Sequence, residues 1–265
     1  MTADLNTCSL CPRLCRHACP VAVGTGREAA VPAQIAIVLR DWDRGLHPDA
    51  LAVAASTLCV DCGNCQDACH LHRPFVQAVR EVRARLGVLP APAPLAEIID
   101  PAGARARAVF VGDAAESRAA VLSGALREPV AAWPTSDGLG WRALGGPAWP
   151  RHAEAIRERA AGRALLVDDG GCGDALAAAG LAFRWVHEAL EVHGTAASCR
   201  QGGVLGVGCC GAAGPLASHH PEDAARLAGR VRCDALADMR CAGHLRAQGR
   251  RVQDVWDLFD AKGGA

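Results

Sequence analysis

Tyrosine is absent from these 265 residues, and aromatic residues together make up only 4%. Lysine is almost absent too, a skew that carries no functional information. Basic and acidic residues balance at 28 each. No block of Lys or Arg stands out, so nothing favours a phosphate-binding patch for nucleic acid. Apolar runs are short and broken by Gly, Pro or charge, which excludes a membrane-spanning helix. Any membrane association would be peripheral, through a partner. The opening Met1-Thr-Ala-Asp-Leu-Asn6 has neither the basic start nor the apolar stretch of a secretory signal. The expected location is therefore the cytoplasm, where thiols stay reduced. Two glycine-rich loops, Gly24-Thr-Gly26 and Gly202 to Gly208, lack the Lys-Ser/Thr of a P-loop. No acid/base pair or nucleophile–base arrangement is evident.

What the chain does have is cysteine, 14 residues in all. Eight fall in two runs: Cys8-Ser-Leu-Cys11-Pro-Arg-Leu-Cys15-Arg-His-Ala-Cys19-Pro20, then Cys59-Val-Asp-Cys62-Gly-Asn-Cys65-Gln-Asp-Ala-Cys69. The second has the C-x2-C-x2-C-x3-C spacing of a bacterial-ferredoxin [4Fe-4S] site. The first has one extra residue before its third cysteine and the expected proline after its fourth. In such sites three close thiolates hold one cube and the fourth reaches across to the neighbouring cube. This pattern assigns Cys8, Cys11, Cys15 and Cys69 to one [4Fe-4S] cluster and Cys59, Cys62, Cys65 and Cys19 to a second. Zinc would favour paired C-x2-C knuckles, and a disulfide framework would need an oxidising compartment. His70 stands where a proline after Cys69 is usual, but that position shapes the turn and is not a ligand.

The spacing predicts helices over 32–39, 47–58 and 74–86, making residues 1–88 an all-helical 2×[4Fe-4S] ferredoxin-like domain. Residues 89–103, opening Leu89-Pro-Ala-Pro-Ala-Pro94, read as a semi-rigid linker. Beyond it, strands at 106–111, 164–167 and 204–207 alternate with helices at 114–126, 152–161, 221–231 and 240–248. The fold class is α+β in two domains, with an α/β domain of largely parallel sheet over 104–265. That domain carries a diverged internal repeat, 104–192 and 193–265. Asp169-Gly-Gly-Cys172 aligns with Asp238-Met-Arg-Cys241 at an offset of 69, which also pairs Leu176 with Leu245, Gly180 with Gly249 and Val186 with Val255.

A further cluster of thiols surrounds Gly206-Val-Gly-Cys209-Cys210-Gly211. Glycines beside adjacent cysteines let backbone approach a metal closely. Cys199 and Cys241 supply two more candidate thiolates. With these motifs together, the chain resembles the cysteine-rich CCG-domain iron–sulfur proteins, which include iron–sulfur subunits of glycolate and lactate oxidation systems and heterodisulfide reductase subunits. The resemblance implies a third, non-cubane iron–sulfur cluster on Cys199, Cys209, Cys210 and Cys241, with Asp238 as an oxygen ligand or supporting group. Several positions depart from the family. Asp113, Ser136-Asp137-Gly138 and Asp169 replace the cysteines of the first repeat, leaving Cys172 and a metal-free half. Asp238 replaces another cysteine in the second, and Cys233 has no counterpart.

Two functional expectations follow from the resemblance. The first is an electron-transfer subunit of a cytoplasmic oxidoreductase complex, relaying electrons from a flavoprotein partner through two cubes. The second is an enzyme like heterodisulfide reductase, reducing a thiol or disulfide substrate at the C-terminal cluster. An inert scaffold stabilised by its clusters ranks below both.

Overall fold

A computed structural model describes residues 2–11, 14–102, 105–135, 139–140, 144–192, 210, 212, 214–231, 235–236 and 238–261. Cys199, Cys209, Cys233 and the expected strand at 204–207 lie outside the described residues. In chain order the helices are α1 (Thr2–Leu10), α2 (Pro20–Thr25), α3 (Pro32–Asp43), α4 (Asp49–Ser56), α5 (Asn64–Asp67), α6 (Phe75–Arg85), α7 (Ala115–Leu126), α8 (Trp149–Ala160), α9 (Gly170–Ala178), α10 (Val186–Ala189), α11 (Leu216–His219), α12 (Pro221–Arg230), α13 (Met239–Ala247) and α14 (Val255–Ala261). The strands are β1 (Ala108–Gly112), β2 (Val130–Pro134), β3 (Ala164–Val167), β4 (Arg184–Trp185), β5 (Ala235–Leu236) and β6 (Gln253–Asp254). No helix among the described residues is long and apolar enough to cross a membrane.

Contacts divide the chain into two units. The first joins Met1–Pro90, Cys199–Cys233 and His244–Arg250. Its described elements are all helical. Pro32 opens α3 at the first helical turn, where a missing N–H costs nothing, and Ile35, Ala36 and Leu39 follow at helical spacing. They share a core with Leu5, Phe75, Val79 and Val82.

The described residues 214–231, which carry α11 and α12, group with this unit. The reason is packing. Leu216, Ala224 and Leu227 are buried in the N-terminal core. A Cβ on Gly24 would stand 2.1 Å from Leu227 Cδ2, so glycine at 24 is what admits the leucine. Polar contacts fasten the same surfaces: Arg230 Nη1 donates to Gly24 O at 2.8 Å, Arg27 pairs with the buried Asp223, and His220 Nε2 lies 2.9 Å from Thr57 Oγ1.

The second unit comprises Ala91–Ser198, Asp234–Gly243 and Arg251–Ala265. Its main sheet has the order β2-β1-β3-β4, and every pairing is parallel. All five residues of β1 are buried, as a central parallel strand covered on both faces requires. Val109 and Val111 enter one core layer; Ala108 and Phe110 enter the other. The expected linker is not loose where it meets this unit. Ile99 forms an antiparallel bridge with Ala132, and Arg163 grips Asp100 through two hydrogen bonds of 2.8 and 2.9 Å.

Local geometry recurs at the offset of 69. Leu166 pairs with Arg184 and Val167 with Trp185. Adding 69 to each number gives Ala235 with Gln253 and Leu236 with Asp254, the observed register of β5 and β6. Asp169 Oδ1 caps α9 by accepting from the N–H groups of Gly171 and Cys172 at 2.9 and 3.0 Å. Asp238 Oδ1 accepts from Arg240 and Cys241 at 2.9 and 3.1 Å in the same way. Gly180 and Gly249 follow their helices at φ of 76° and 77°, a left-handed conformation that favours glycine.

Candidate metal centre

The eight N-terminal cysteines sit where local chemistry fixes the chain. Cys8 lies on α1. Cys15 belongs to a single 3-10 turn, Leu14–His17. Cys19 is the N-cap of α2, with Pro20 at its first position. The proline after the fourth cysteine thus starts a helix. In the second run Gly63 holds φ 81° and serves as N-cap of α5, which carries Cys65. Gln66 Oε1 then accepts the Val76 N–H at 2.7 Å, tying this turn to α6.

Two cavities divide the cysteines between them. One is lined by Cys8, Cys11, Cys15 and Cys69, with Cys65 also on its wall. The other is lined by Cys19, Cys59, Cys62 and Cys65. Pro32, Cys65 and Phe75 line both, so the two are neighbours. The last cysteine of each run therefore lies on the cavity of the other run. Among the described residues no three His, Cys, Asp or Glu side chains converge as ligands of a single metal ion; the thiols ring cavities instead. A donor set dominated by thiols, with His70 also on the wall of the first cavity, suits soft iron–sulfur chemistry and does not suit cations that seek oxygen ligands.

The electrostatics of the two cavities differ. Burial pushes the thiols of Cys59 and Cys65 up, and neighbouring groups add to this, Asp61 at the first and Cys59 and Cys62 at the second. Burial also raises Cys19, against the pull of the Ala22 and Val21 amides. Cys15 rises through burial and then through Cys11. Cys69 moves the other way: the Arg73 backbone N–H, helped by the amides of Leu71 and His72, favours its thiolate. The Cys8/Cys11/Cys15/Cys69 cavity also has Leu71 on its wall, and that side chain is 59% exposed.

A charged network absent from the sequence reading borders the second cavity. Arg83, Asp61 and Arg80 join α6 to the Cys59–Cys62 loop. Its signal was present in the pattern: Arg83 falls among Val79, Val82 and Leu86 on the apolar stripe of α6, where a charge needs a buried partner.

The C-terminal candidates are distributed differently. Cys210 is buried in the first unit and accepts the Ala212 N–H at 3.4 Å. Gly214, at φ 63°, abuts the backbone of Cys59 and Val60, where a Cβ would lie 2.9 Å from Cys59 O. Cys241 and Asp238 are buried in the second unit, where Asp238 caps α13. Cys199 and Cys209 lie outside the described residues. Cys172 is buried beside Thr135 Oγ1 at 3.5 Å. No family model matches this chain, and no curated protein or solved structure matches it either.

Proposed function

We propose that this chain is an iron–sulfur electron-transfer protein with a ferredoxin-type N-terminal unit, the relay subunit of a cytoplasmic oxidoreductase complex. One [4Fe-4S] cluster is held by Cys8, Cys11, Cys15 and Cys69, the other by Cys59, Cys62, Cys65 and Cys19. The observation that carries the reading is the division of the eight thiols between two adjoining cavities, with Cys19 and Cys69 exchanged between the runs. When bound, each cluster supplies a one-electron acceptor and donor.

The chain's own residues do the rest. Cys65, Pro32 and Phe75 form the common wall, which keeps the two centres adjacent for electron hopping. Buried Cys65 and half-buried Cys59 draw one centre away from water, while Cys69 keeps the other near the surface with amide donors on its sulfur. Substrate oxidation belongs to a partner, a flavoprotein in this proposal; the sequence shows no acid/base pair or nucleophile–base arrangement of its own. The relay is favoured over a disulfide-reducing enzyme because Asp169 and Asp238, standing where the family has cysteines, are committed to capping helices.

A redox titration of the anaerobic protein followed by EPR tests the function. Two one-electron couples within reach of biological donors are expected. Couples beyond any biological donor would refute the relay and leave a structural role.

A further inference from the structure

One buried cation organises the loop that carries Cys59 and Cys62. Arg83 has a side chain 1% exposed. Its Nη1 donates to both carboxylate oxygens of Asp61, at 2.8 and 2.9 Å. Its Nη2 donates to Cys59 O at 2.6 Å, and its Nε to Ser56 O at 3.1 Å. Arg80 Nε reaches the same carboxylate at 3.2 Å. Asp61 occupies the left-handed region at φ 57°, which is uncommon outside glycine. Its N–H donates to Cys59 Sγ at 3.4 Å, and its Oδ1 lies 3.5 Å from that sulfur.

A helix-borne arginine buried this deeply is costly unless its charge is matched. Asp61 matches one charge, but Arg80 and Arg83 bring two. The network as a whole carries one excess positive charge, but the Asp61 carboxylate is the charged group nearest the sulfur and outweighs Arg83 there, so Arg83 offsets that carboxylate in a setting that water screens poorly. We propose that Arg83 is a positioning residue which, through Asp61, shapes the Cys59–Cys62 loop and raises the reduction potential of the cluster held there. This rests on the two-cluster reading above. Reduction by an external one-electron donor adds negative charge at that cluster, so a nearby cation favours the reduced form and a nearby carboxylate opposes it.

The test is an anaerobic redox titration, read by EPR, of the full chain carrying both clusters. Asp61→Asn, Arg83→Met and the double variant are compared with the natural chain. In Asp61→Asn the reduced-to-oxidised ratio of the Cys59 cluster at fixed potential rises at least tenfold, about 59 mV for one electron. In Arg83→Met it falls by a similar factor. The double variant returns to within about threefold of the natural ratio, and the Cys8 cluster does not move in any of them. A purely structural brace would not produce that order. If Arg83→Met fails to fold, Asp61→Asn alone decides. The inference is overturned if Asp61→Asn leaves the ratio unchanged, shifts both clusters equally, or costs the chain half its iron. A natural chain without iron or acid-labile sulfide would overturn the two-cluster reading itself, an outcome distinct from unchanged potentials in a loaded chain.

Discussion

Asp168→Asn should alter how stability depends on pH. Asp168 directly follows β3 and is 1% exposed. Its Oδ2 accepts from Arg118 Nη1 and from Trp256 Nε1, both at 2.7 Å. Its Oδ1 is buried with no hydrogen-bond partner among the described residues, 3.1 Å from where a Cβ on Gly112 would stand. Burial outweighs both donors, with Asp169 and Asp238 adding repulsion, and pushes the carboxyl from 3.8 up to about 7. The folded chain therefore binds this proton more tightly than the unfolded chain does. The stabilising contribution is full below pH 3.8 and is lost as pH rises through about 7. The whole window is worth about 4 kcal/mol at about 1.36 kcal/mol per pH unit. Between pH 5 and 8 the loss is about 2.5 kcal/mol. Asparagine cannot ionise, so Asp168→Asn removes this slope. The assay is urea unfolding followed by tryptophan fluorescence, with Trp256 as a reporter beside the substitution. The stability of the natural chain minus that of the variant should fall by about 2.5 kcal/mol from pH 5 to pH 8. Parallel profiles would refute the reasoning.

Other substitutions test separate parts of the account. Cys65→Ser should strip the Cys59 cluster and leave about four irons per chain, with the EPR signal of the other cluster retained; iron and sulfide assays check this. Leu227→Ala empties a buried site beside Gly24 and should cost about 2–5 kcal/mol by denaturant unfolding. Asp169→Ala and Asp238→Ala each remove a helix cap and should each cost about 1 kcal/mol in the same measurement.

The helices were legible where local chemistry is decisive. Pro32 and Pro221 stand at the starts of α3 and α12, and apolar spacing marks α6 within a residue of its ends. Local features that recur at the offset of 69 were legible too, because an Asp cap, a helix and a left-handed glycine each leave a mark in the sequence. β2 was not recognised. Val130-Ala-Ala-Trp-Pro134 contains small residues and a terminal proline, and its strand character comes from its pairing with β1. The grouping of α11 and α12 with the N-terminal unit depends on long-range fits such as Leu227 against Gly24, which no local pattern encodes. At the candidate centre, the spacing is consistent with the way the thiols divide between the two cavities, Cys65 lining both. Arg83 and Asp61 required three dimensions, since 22 residues separate them.

The most direct test of the central claim is a count of iron and acid-labile sulfide in anaerobically purified protein. About eight of each per chain, with EPR showing two interacting cubane centres after reduction, is the predicted result. A chain that holds about four or fewer irons, or that binds zinc at the N-terminal cysteines instead, would contradict it.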